Sequence, residues 1–101
     1  MEKHKRDPIE LILEEHIHES RAQLAFLKAR VETVKPDAEA EYFGHIESLE
    51  RLMDIGMGRM EALRTAPDEF WGVLLGPAQA SCDELKAAIS DTRLHYFPTI
   101  A

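Results

Sequence analysis

Apolar residues recur along this chain at alternating steps of four and three. One series runs Leu13, Ile17, Ser20, Leu24, Leu27, Val31 and Val34. A second runs Tyr42, Ile46, Leu49, Met53, Gly56, Met60 and Leu63, and a third Trp71, Leu75, Ala78, Cys82, Leu85, Ile89 and Thr92. Such spacing is the seam of packed helices. It predicts an all-α fold with helices over residues 8–34 and 36–65 and a helical segment over 67–92.

Proline followed by acids punctuates the same boundaries. Asp7, Pro8 and Glu10 read as an N-cap, a first-turn proline and a reciprocal acid. Pro36 with Asp37 and Glu39, and Pro67 with Asp68 and Glu69, repeat the scheme, with Thr65 a candidate cap. Acids there oppose the helix dipole. Gly76-Pro77 predicts a kink or restart inside the third segment.

The link at Lys35-Pro36 is too short for anything but an antiparallel return. The first two helices therefore form a hairpin. Folding about the link sets Val31 opposite Tyr42, Leu27 opposite Ile46, Leu24 opposite Leu49, Ser20 opposite Met53 and Ile17 opposite Gly56. On the flank, Arg21 is expected to face Glu50 as a surface pair worth ~0.2–1 kcal/mol.

A second apolar stripe runs beside the seam: Ile9, Ile12 and Phe26 on the first helix, Leu52, Ile55 and Ala62 on the second. A bare hairpin would expose it, so something must cover it. The third segment can do so, giving a three-helix bundle; a second subunit can do so, giving a dimeric helical bundle. Residues 1–7 read as a polar tail and 93–101 as an apolar tail that docks on the bundle or on a second subunit.

Composition narrows the classes. The 101 residues make a single domain, 45% hydrophobic and 31% charged, with net charge −7. A nucleic-acid groove needs a basic footprint. Here the basic cluster is Lys3-His4-Lys5-Arg6, which reads as part of the solvated tail. The lone Cys82 permits no internal disulfide and suits a reducing compartment. No apolar run matches a signal peptide or a membrane span. The expected setting is cytoplasmic, with neither nucleic acid nor membrane as partner.

The chemistry-bearing residues are few. Glu15 and His18 form a Glu-x-x-His step, a spacing used in di-iron carboxylate bundles. Glu41 and His45 form an i, i+4 pair able to ligate a metal. Leu13 and Ile17 hold the seam, so Glu15 and His18 point outward, and the two clusters could meet only across a dimer. Glu14 is a further candidate beside them. Around His45, Phe43-Gly44-His45-Ile46-Glu47 lacks the lysine and glycine of a phosphotransfer site. Cys82 sits on the apolar face without a basic neighbour, and Ser81 lacks nucleophile-elbow glycines. Two glycines, Gly56 and Gly58, inside one helix cost about 2 kcal/mol against alanines. They point to close packing opposite Ile17, or to an earlier end of the helix.

These residues favour a non-enzymatic helical interaction or oligomerisation protein that needs no cofactor, a homodimer or larger. Phe26, Leu52, Ile55, Trp71, Tyr96 and Phe97 are its candidate interface anchors. The first alternative is a divalent-metal bundle, di-iron or zinc, liganded by Glu15, His18, Glu41 and His45 across a dimer. The second is a small acidic regulator that covers a basic partner protein.

Overall fold

The computed structural model describes residues 3–98. Three long helices make an up-down-up bundle, 52 × 22 × 16 Å: α1 (Lys3–Ala29), α2 (Glu39–Thr65) and α3 (Asp68–Tyr96). Two 3-10 turns, Val31–Thr33 and Pro36–Ala38, carry the α1–α2 return. Every helix packs on both others. The all-α three-helix bundle is therefore the fold, and the described residues contain no strand. No described helix is long and apolar enough to cross a membrane.

The seam is the core. Leu13, Ile17, Leu24 and Leu27 of α1 are buried with Tyr42, Ile46, Leu49, Met53, Met60 and Leu63 of α2. Trp71, Ala78, Cys82, Leu85 and Ile89 of α3 complete it, while Leu75 stays half-buried. α2 runs unbroken through both glycines. A Cβ on Gly56 would lie 3.1 Å from Ile17 Cδ1, so Gly56 lets α1 and α2 approach, in the predicted register. A Cβ on Gly58 would meet nothing within 4 Å.

The flank differs from the expected pairing by one heptad. Arg21 lies against Met57, its Nη2 3.2 Å from the sulfur. Glu50 pairs with Lys28 at 3.5 Å, and Glu14 with Arg64 at 3.2 Å. Side chains on a helix lean toward its N-terminus. In an antiparallel pair the leans are opposed, which moves the partner of Arg21 from Glu50 to Met57.

The ends depart further from expectation. Residues 3–7 are helix rather than tail, and Pro8 lies inside α1. The cause is Arg6, only 6% exposed. Its Nε donates to Glu10 Oε2 at 3.3 Å and its Nη1 to Asp68 Oδ1 at 2.8 Å. Its Nη2 donates to the carbonyls of Leu63 at 3.1 Å and Arg64 at 3.4 Å, among the last of α2. Trp71 Nε1 donates to the same Glu10 oxygen at 3.1 Å, and the guanidinium carbon lies 5.5 Å from the Trp71 ring centre. A cation thus adds donors to the last carbonyls at the negative end of α2, where the Leu63 carbonyl also accepts the Ala66 N–H. Asp68 above all, then Glu10, raises the Arg6 pKa against the opposing effect of burial.

Thr65 is not a cap; its hydroxyl donates back to the Glu61 carbonyl at 2.9 Å. α3 passes through Gly76-Pro77 without a break and continues to Tyr96. Proline deprives the Val73 carbonyl of its donor, but Val73 is 72% exposed, so water can replace it. Trp71 and Ala78, both buried, hold the helix on either side. In the expected apolar tail, 93–96 extend α3 and Phe97 is buried; residues 99–101 of that tail, Ile100 among them, lie outside the described residues.

Gly58→Ala is expected to stabilise the fold by about 0.5–1 kcal/mol in denaturant unfolding, and Gly56→Ala to gain less, because Ile17 must give way. Arg6→Ala and Arg6→Lys are expected to lower the melting temperature and shift the Trp71 fluorescence, whereas Lys5→Ala at the exposed neighbouring position leaves both unchanged.

Candidate functional site

At the end of the bundle opposite Arg6, the start of α2 meets the end of α3. Tyr42 is fully buried there and its hydroxyl donates to the Leu27 carbonyl, near the end of α1. Its ring meets Tyr96 edge-on at 4.8 Å between centres and Phe97 at 6.1 Å. Arg30 covers Phe26 at 4.5 Å and Phe97 at 6.0 Å. These contacts dock the chain after Arg93 onto the bundle.

Two histidines lie against this aromatic cluster. The Tyr96 ring stands edge-on to His45 at 5.6 Å and to His95 at 4.7 Å, and the two imidazole centres are 6.4 Å apart. Glu41, one turn before His45, places Oε1 3.6 Å from His45 Nε2. Asp91, one turn before His95, borders the same groove. That groove holds about 410 Å³ and is bounded by Ser48, Leu49, Leu52, Ala88 and Thr92 as well as by the two histidines. The Tyr96 hydroxyl is buried without a hydrogen-bond partner. Burial, and after it the nearby Glu41 carboxylate, holds its pKa above the ordinary value.

The expected ligands separate. Glu41 and His45 come together. Glu15 and His18 are exposed on α1. Because Ile17 faces Gly56, His18 sits about 15 Å along the bundle from His45, at 1.5 Å per residue. The residues that join His45, Asp91 and His95, were passed over in sequence. Their i, i+4 spacing copies that of Glu41 and His45 and was a legible signal.

The candidate interface residues divide too. Trp71, 1% exposed, and Phe97, 9%, are core and have little surface to offer. Leu52 and Tyr96 pack against the core partly buried. Phe26 and Ile55 remain at 38% and 48% exposure, with Ile12 at 52%. Beside Phe26, a groove of about 350 Å³ between α1 and α3 is lined by Ala22, Leu27, Ile89 and Arg93. A larger hollow of about 680 Å³ at the other end is lined by Arg6, Glu10, Glu14, Arg64 and Asp68. Those charges already bond to one another, which leaves little for a ligand. Cys82 is buried, and burial, then Asp83, pushes its thiol pKa up.

Comparison with protein-family models, with curated proteins and with solved structures finds no match for this chain.

The raised pKa values of Cys82, Tyr42 and Tyr96 have one consequence. Each group is held neutral in the fold, so its contribution is fully present below the unfolded-state pKa and is lost as pH rises. Unfolded thiols ionise near pH ~8.5 and phenols near ~10. Stability is expected to decline first above the thiol value and again above the phenol value, with Cys82→Ala removing the earlier decline. Urea midpoints measured across that range check this.

Proposed function

We propose that this chain is a non-enzymatic helical interaction protein, acting by self-association or by docking another helix along its flanks. One observation carries the reading. The three helices bury one another and still leave Ile12 and Phe26 of α1 and Ile55 of α2 uncovered. All three belong to the second apolar stripe. Helix flanks of this kind serve as docking surfaces when apolar anchors sit among charges. Phe26 is held in place by Arg30, which stacks on it, so its ring is offered at little cost in side-chain entropy. The buried thiol of Cys82 suits a reducing cytoplasm.

Light scattering across a dilution series tests the reading. The expected result is a mass that doubles on concentration for the wild type. The joint substitution Phe26→Ser and Ile55→Ser should abolish that increase while far-ultraviolet circular dichroism stays unchanged. A monomer at every concentration, together with lysate capture that the joint substitution does not alter, overturns it.

A further inference from the structure

We infer that the occupant of the α1–α3 groove is the same groove of a second copy, docked antiparallel about a two-fold axis beside Phe26. The inference rests on the self-association reading above and names its surface.

The groove holds about 350 Å³ and is lined with apolar surface by Ala22, Leu27, Ile89 and the half-exposed Phe26. Its charges are divided by sign, with Glu19 on α1 and Arg93 on α3. Arg6 bonds to Asp68 and Trp71 to Glu10, so α1 and α3 run parallel, and residues 61–62 apart in number lie level. That offset sets Arg93 level with Val31, next to Arg30. At 1.5 Å per residue, Glu19 lies about 18 Å away along the bundle. The acid thus stands at one end of the groove and two guanidiniums at the other, with Phe26 between them.

None of Glu19, Arg30 and Arg93 joins an ion pair among the described residues. Arg93 Nε is buried without a hydrogen-bond partner. In a chain with 19 acidic and 12 basic residues, two neighbouring guanidiniums without a carboxylate leave a place for one. A two-fold axis midway between the charges, close to Phe26, turns the pattern onto itself. Glu19 of each copy then meets Arg30 and Arg93 of the other, and the two Phe26 rings approach near the axis. Every such contact is made twice in an isologous pair. Ala22 is small and exposed, so the helices can come close. Arg30 already stacks on Phe26, which lowers the ordering cost of docking. A parallel two-fold pair would set Glu19 against Glu19 instead.

Charge reversal, read by light scattering over a dilution series, tests the inference. Glu19→Lys and Arg93→Glu are each expected to raise the dimer dissociation constant by roughly tenfold or more, because each homodimer then opposes like charges. An equimolar mixture of the two variants is expected to associate as the wild type does, since each reversed charge faces its opposite in the other chain. Glu47→Lys, the same charge change on the exposed face of α2, is expected to leave association unchanged. Circular dichroism checks each fold, and Arg30→Glu takes the place of Arg93→Glu in the mixture should the latter lose helix. Wild-type association that neither reversal weakens, or that mixing two folded variants does not restore, overturns the inference and leaves self-association to another flank. A wild type that is monomeric at every concentration also overturns it, and the broader reading then rests on docking of a different helix.

Discussion

The guanidinium of Arg6 touches all three helices. It leaves α1, accepts the company of Glu10 and Trp71, closes on the last carbonyls of α2, and meets Asp68 at the first turn of α3. A buried charge is tolerable only when its donors are satisfied, and here four of its hydrogen bonds are made within the fold. That requirement sets where α1 begins and how tightly the α2–α3 corner is drawn under it. It also explains why helix persists on the N-terminal side of Pro8, where local preference alone would end it.

The opposite end is closed by a different device. Tyr42 sends its hydroxyl to a carbonyl near the end of α1 and offers its ring to Tyr96 and Phe97. Each end thus uses a side chain from one helix to add a donor to the last carbonyls of another, of which those of Leu27 and Leu63 also accept a backbone N–H. Between the ends, Gly56 admits Ile17, and Arg59 donates to the buried Ser81 hydroxyl at 2.6 Å to tie α2 to α3. The imidazole pair and the exposed flank residues follow from this frame. Register along α2–α3 sets His45 beside His95, and the cover that α3 gives the hairpin leaves Ile12, Phe26 and Ile55 exposed.

Much of this was legible in the chain itself. The alternating steps of four and three identified three helices, the members of the seam and the register that sets Ile17 against Gly56. They did so because burial on a helix must recur every three or four residues. Prolines and acids marked the α2 and α3 starts to within a few residues. Half of the imidazole site was also legible, as Glu41 and His45. The other half, Asp91 and His95, lay in a segment whose apolar neighbours suggested a tail.

What only the tertiary structure decided involves partners far apart in sequence. No local pattern tells that Arg6 will be buried by Asp68 and Leu63, since a basic run beside the N-terminus looks solvated until a distant acid and two carbonyls are brought to it. Nor does periodicity, which placed Trp71 in a seam and Phe26 beside one, show that Trp71 keeps almost no surface for a partner while Phe26 stays uncovered. Both are aromatic, and how much of each remains exposed depends on what the third helix covers. Spacing along one helix is a local property, and the sequence carries it. Contact between helices depends on the balance of many such stripes at once, and the fold alone resolves it.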